Sequence, residues 1–427
     1  MPRTSKRQQL LAQLDVAIQS LKRQLALAHL LGISNDTRAY NILKRCQTLK
    51  QVVKSNRYLD RGSFRQRRTP KFSIYLQEDN EHRDALTDAE FVFHFRVSKT
   101  VFWQLVDLLK GHAIFNQQTS DSRGKQPRPA SHQLLVLLKY YGSEGNGSCS
   151  RALSTFFGVG AGSIDAYRNN ALEALLSLES QTYYWPTPEE RSAISYRIKE
   201  KWLFPNCIGF MDGTLLPLAT RPLLHGENYH SRKNFYAIVM LIVCDDQARI
   251  LYYHVGWPGS VHDNRVWRNC NLCMQQDQLF SANEYLLGDS AFTPSQVVVP
   301  AFKNPAGQAM TDNETAFNTL LASPRVKSEH CIGILKGRFP FFKCIKLKLS
   351  SRRDLKRIIQ YVRGGVILHN YLITEDISED WLPNDSSEDG TEDNLGPESA
   401  SADNEANTAR RDQLMYYFSE LPETNIY

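Results

Sequence analysis

The stretch YAIVMLIVCDDQARILYYHVGW (residues 236–257) decides the fold. It contains two apolar runs, 236–244 and 250–257, joined by the polar Asp245, Asp246 and Gln247. Runs of this length, rich in Val, Ile and Tyr, read as strands, and so short a polar link predicts an antiparallel hairpin. The same texture lies on either side: CIGFM (207–211) before it, then EYLLG (284–288) and VVVPAF (297–302) after it. Helical stretches fall around residues 261–273 and from about 314 to 335. The sum predicts an α/β domain over residues 205–375, a mixed sheet flanked by helices.

Upstream the pattern is helical. In residues 6–31, Leu10, Leu14, Ala17, Ile18, Leu21 and Leu25 share one stripe that ends at Gly32, and Lys and Arg fill the other face. Residues 1–85 thus read as a basic helical region and linker, which suits either a polyanion or a solvated bundle. Within it RYLDRGSFRQRRTPK (57–71) has the composition of a nuclear import signal. Residues 86–200 read as all-α. Ser98 is placed to cap a helix through Val101, Phe102, Leu105, Val106 and Leu109, and an apolar helix follows over 131–141. The segment SRALSTFFGVGAGSIDAYRNNALEALLSL (150–178) then has the helix, glycine turn, helix spacing of a helix-turn-helix. Ser163 would cap its second helix, and Arg168, Asn169 and Asn170 are the candidate DNA contacts. The same spacing fits a plain helical hairpin.

The chain carries 51 Lys plus Arg against 45 Asp plus Glu, a formal charge of +6 that is unevenly spread. Basic residues dominate the first seventy positions, whereas residues 376–408 are rich in Asp, Glu, Ser and Asn, a composition unable to bury a core and expected to be disordered. A short helix is expected over 409–427. No apolar run approaches the roughly 20 residues needed to cross a bilayer, and the charged first residues lack a signal-peptide core, so a soluble intracellular chain is expected. Eight scattered cysteines suit a reducing compartment, and the lone CxxC, Cys270 and Cys273, has no second pair at zinc spacing.

Four acids interrupt apolar or small-residue segments at element boundaries. Asp212 follows CIGFM, Asp289 follows EYLLG, Asp263 lies just past the third run, and Glu329 sits in the late helix. Each has a structural reading: a turn for Asp212 and Asp289, a helix start for Asp263, a surface position for Glu329. Taken together they suggest a cation site, because a carboxylate at a strand end is costly to bury unless paired. All-oxygen donors suit a hard ion, Mg²⁺ or Mn²⁺.

The motifs MDGT (211–214), YHSRKNFYAIVMLIVCDDQARILYYHVGWPGSVHDNRVW (229–267), LLGDSAF (286–292), RVKSEHCIGILKGRF (325–339) and LHNYLI (368–373) resemble the PIF/Harbinger transposases and Harbinger-derived nucleases in order and spacing. The likeness extends upstream to FRVSKTVFWQLVDLL (95–109). Lys327, Ser328 and His330 depart from it. The resemblance implies an RNase H-like fold in which the first and fourth strands are neighbours. It implies a nuclear, metal-dependent DNA endonuclease of the DDE type, with Asp212, Asp289 and Glu329 catalytic and Asp263 a further metal ligand. By their charge, Lys336 and Arg338 after Glu329 could hold the DNA backbone or be ordinary surface cations at a helix end. A liberated 3′ hydroxyl could replace water as nucleophile, for strand transfer. A Myb-like partner would recognise DNA ends, and a homo-oligomer is compatible with this. The alternative is a catalytically silent domesticated transposase kept as a DNA-binding protein.

Overall fold

The computed structural model describes residues 6–31, 37–55, 86–116, 128–303, 309–375 and 405–420. The basic segment 57–71 and most of the acidic segment, 376–404, lie outside the described residues. The chain divides into two compact units at Phe72 and Ser73. In the first, α1 (Lys6–Leu30) and α2 (Thr37–Ser55) pack as a hairpin. Leu14 and Ile18 of the expected stripe are buried with Ala39, Leu43 and Val53 of α2, and Lys50 pairs with Asp15.

The second unit starts with helices: α3 (Asp88–Phe95), α4 (Lys99–Leu109), α5 (Ala130–Tyr141), α6 (Ser150–Phe157), α7 (Ala161–Leu176) and α8 (Pro188–Trp202). Their starts follow local chemistry. Ser98 accepts the Val101 N–H at 3.2 Å, as its position predicts. Thr87 and Thr187 form capping boxes with Glu90 and Glu190, satisfying orphan N–H groups reciprocally. Between α6 and α7, Gly158 takes φ 66°, a conformation that favours glycine. Ser163 does not cap α7: Gly160 holds that place, and Ser163 lies inside the first turn.

The sheet follows: β1 (Cys207–Pro217), β2 (Ala237–Cys244), β3 (Ile250–Pro258), β4 (Tyr285–Gly288) and β5 (Val298–Pro300), in the order β3-β2-β1-β4-β5. The β2–β3 and β1–β2 pairs are antiparallel, while β1–β4 and β4–β5 are parallel. The expected mixed sheet and hairpin are present. The hairpin turn is held by the buried Asp245 carboxylate, which accepts the N–H groups of Gln247 and Arg249, each at 2.9 Å. Every β2 residue is buried, as befits an inner strand.

Between β3 and β4 comes α9 (Asp263–Arg268); after β5 come α10 (Asp312–Arg338), α11 (Arg352–Tyr371) and α12 (Glu405–Ser419). The last helix starts earlier than expected, inside the acidic stretch, because Leu414 and Phe418 bury against the domain; the Phe418 ring lies 4.7 Å from that of Phe204. Edge strand β3 is held from outside by Asn370 of α11, which accepts the Ile250 N–H and donates to the Ile250 carbonyl, each at 2.9 Å. Such pairing satisfies edge groups that a strand would otherwise expose.

Helix α11 also ties the helical region to the sheet. Tyr141 of α5 donates to the Tyr361 carbonyl at 2.6 Å, and Gly364 and Gly365 admit Leu172, Tyr141 and Phe342 against the helix backbone. A Cβ on Gly365 would stand 2.4 Å from Cζ of the buried Phe342 ring. Gly365→Ala is therefore expected to destabilise: overpacking costs about 1–3 kcal/mol, against the roughly 1 kcal/mol alanine gains over glycine within a helix. Urea denaturation should show a lower midpoint at unchanged slope; an unchanged or higher midpoint would mean the ring is not fixed.

Candidate active site

The site begins with the parallel pairing of β1 and β4. Phe210 faces Leu287 and Met211 faces Gly288, so Asp212 and Asp289 are the next residues on adjacent strands. Neighbouring strands run about 4.8 Å apart, and residues in step on parallel strands point to one face. Asp289 ends its strand in a turn in which Oδ1 accepts the Ala291 N–H at 2.9 Å. Asp212 Oδ1 accepts the Gly213 N–H at 2.7 Å.

Asp263 arrives from the other side. It is the first residue of α9, and a Cβ added to Gly213 would lie 2.2 Å from its carboxyl carbon. The glycine of DGT is thus needed because the Asp263 carboxylate occupies the space beside it on β1. The sequence marks this glycine but not its partner. Three aspartates from β1, the end of β4 and the start of α9 consequently act on one another. Burial, then Asp289, then Asp263 push the Asp212 carboxyl up to about 8, while Arg325 and the Gly213 N–H pull it down.

Glu329 stands apart from this group. On α10 its side chain is 60% exposed and lies 3.7 Å from Arg325, one turn earlier. So exposed a pair contributes on the order of 0–1 kcal/mol. Among the described residues no group of three His, Cys, Asp or Glu side chains is closed tightly enough to hold a metal ion. Arg325 was not singled out in the sequence, although its i, i+4 spacing to Glu329 is visible there. It is the cation that offsets both Asp212 and Glu329.

The residues expected to hold DNA are placed differently from the expectation. Arg168 is not presented on the outer face of a recognition helix: it is 5% exposed, stacks 4.2 Å from the Tyr140 ring centroid and pairs with Asp165 at 3.0 Å. The cause is packing, since α7 lies against both α5 and α11. Asn170 donates to Gln133 at 3.0 Å, and the exposed Asn169 accepts from Tyr361 at 3.0 Å. Arg338 is 1% exposed and donates to the carbonyls of Leu372 and Glu375 at 2.7 and 3.2 Å, where it closes the end of α11. These bonds tie the end of α10 to the end of α11. Lys336 is half-buried.

Residues 211–370 match the DDE superfamily endonuclease family. Named relatives agree with the Harbinger likeness of the motifs. The rat protein named "Putative nuclease HARBI1" is 27% identical over 49% of this chain and 58% of its own length. The Xenopus laevis protein of the same name is 24% identical over 70% of this chain and 82% of its own, and the Arabidopsis thaliana "Protein ALP1-like" is 23% identical over 75% and 79%. The chain spans less than two-thirds of the length of the rat relative. No solved structure matches it.

The raised Asp212 pKa sets a pH dependence. A carboxyl that titrates near 8 when folded and at an ordinary value when unfolded gives stability that is complete below about pH 4 and is lost as pH rises through 8. Asp212→Asn removes that loss. In EDTA the variant's melting temperature should gain on the wild type steadily between pH 5 and 8; a constant difference would contradict the placement of Asp212 among the other acids.

Proposed function

We propose that the chain is a metal-dependent DNA endonuclease that cuts phosphodiester bonds with the carboxylates at Asp212, Asp289 and Glu329, assisted by Asp263. The observation that carries this reading is the register of β1 and β4, which puts Asp212 and Asp289 side by side and leaves them opposed by acid from Asp263. A group of oxygen donors with excess negative charge fits a hard divalent cation such as Mg²⁺ or Mn²⁺. Asp212, Asp263 and Asp289 would hold it, with Glu329 completing the set from α10. When bound, such an ion stabilises the charge that builds on the phosphate and the leaving oxygen during in-line displacement.

The chain's own groups supply the rest. With Oδ1 accepting from Gly213, Asp212 offers Oδ2 to a ligand or a proton. Asp289 is fixed by its own turn, so its carboxylate needs little reordering on binding. Arg325 provides positive charge on the same side, suited to the phosphate. Water is the nucleophile for hydrolysis, and a DNA 3′ hydroxyl in the same place would give strand transfer. This reading carries with it a nuclear location, end recognition by a separate Myb-like protein, and assembly with further copies of the chain.

One observation favours the second reading, a catalytically silent domesticated transposase that binds DNA: Glu329 is exposed and paired with Arg325. Incubating the full chain with supercoiled plasmid in Mg²⁺ or Mn²⁺ separates the two. The nuclease reading expects nicking that EDTA abolishes and that falls at least 100-fold in folded Asp212→Ala, Asp289→Ala and Glu329→Ala variants, on the order of removing a metal ligand. Nicking that persists in the aspartate variants overturns the assignment; DNA binding without nicking supports the silent protein.

A further inference from the structure

A cavity of about 530 Å³ lies between α7, the start of α11 and the segment that precedes it. Arg168, Lys346, Lys348 and Arg357 bring four cations to its wall, against the single acid Asp354. That acid is already engaged, accepting the Ser350 N–H and the Ser351 hydroxyl at 3.0 Å each as part of the start of α11. The long helix α11 also turns its positive end toward the cavity, an arrangement that favours anions.

Arg168 supplies the independent sign of a ligand. It is 5% exposed, and its guanidinium lies 4.2 Å from the Tyr140 ring centroid and 5.4 Å from that of Tyr361. Asp165 takes one of its terminal nitrogens at 3.0 Å, yet its buried Nε has no hydrogen-bond partner. A buried, rigidly stacked guanidinium with an unsatisfied N–H is costly unless something accepts from it. Arginine in such a fixed pose suits phosphate oxygens better than a mobile lysine does.

We infer that this cavity is a phosphate-binding subsite that grips the backbone of the DNA substrate at a distance from the cut. It is tied to the active strand. Residue 345 forms a parallel bridge with Leu218, just past the end of β1, and the Ala219 N–H donates to the Ile345 carbonyl at 2.9 Å. From Asp212 to Ala219 is seven residues, about 23 Å of extended chain at 3.3 Å per residue. That is on the order of six or seven base pairs along a B-form duplex. A backbone phosphate held there would fix the register of the duplex without reading its bases. Only the identity of the polyanion rests on the nuclease reading.

The test measures binding without cutting. A fluorescent 30-base-pair duplex is titrated with the full chain in EDTA at several salt concentrations, for the wild type, for Lys346→Ala/Lys348→Ala, for Arg357→Ala, and for Lys199→Ala/Lys201→Ala as a control on the exposed side of α8. The wild type should bind. The Lys346/Lys348 double variant should bind at least fivefold more weakly, with the slope of log affinity against log salt shallower by about 1–2. Arg357→Ala should weaken binding in the same direction, and the control should match the wild type. Equal loss in the control would reduce the cavity to general surface charge and overturn the proposal. So would calorimetric binding of inorganic phosphate, abolished by the double variant, alongside unchanged DNA affinity, since the subsite would then serve free phosphate. Because EDTA is present throughout, absence of nicking in the plasmid assay leaves this result unaffected.

Discussion

The parallel pairing of β1 with β4 is the constraint on which the site depends. Two carboxylates remote in sequence become neighbours only because Met211 meets Gly288 across the sheet, and each acid follows immediately. Burial first, and then repulsion between such neighbours, hold the Asp212 carboxyl up near 8. A lone strand pair would relieve the repulsion by slipping. Here it cannot, since β1 is also paired along eight positions with β2, whose every residue is buried. A one-residue slip would turn the whole apolar face of β1 outward. The hydrophobic sheet therefore holds in place an electrostatic arrangement that is unfavourable by itself, the expected signature of a site built for a cation.

The helices answer a different need. Two glycines of α11 let the helical region approach closely, and Asn370 from the same helix completes the hydrogen bonding of edge strand β3. One helix thus fastens both layers. This explains why α7 is packed as an inner helix, with Arg168 against Tyr140 and Arg338 used to close the end of α11. Cations that look alike in sequence are divided by packing into structural ones and ones facing a cavity.

Much of this was legible in the sequence, and for physical reasons. The strands announce themselves by apolar runs between turn residues, the hairpin by Asp245 to Gln247, and one helix start by Ser98. Asp212 and Asp289 stood out because each directly follows an apolar run. What was not legible depends on tertiary contact. The place of Asp263 against Gly213 and the burial of Arg168 arise between segments far apart. A helix-turn-helix spacing likewise says nothing about which face of the second helix the rest of the chain covers. The C-terminal helix begins at Glu405, before the expected 409, and buries Leu414 and Phe418.

The most direct test of the account is calorimetric titration of the metal-free full chain with Mn²⁺ at neutral pH. The account expects saturable binding that Asp212→Asn and Asp289→Asn each abolish, and that Glu329→Gln weakens less, since the aspartates are held together by the sheet while the glutamate stands on an exposed face of α10. Saturable binding unchanged in Asp212→Asn, or binding lost in Glu329→Gln alone, would contradict the claim that the β1–β4 register builds the site.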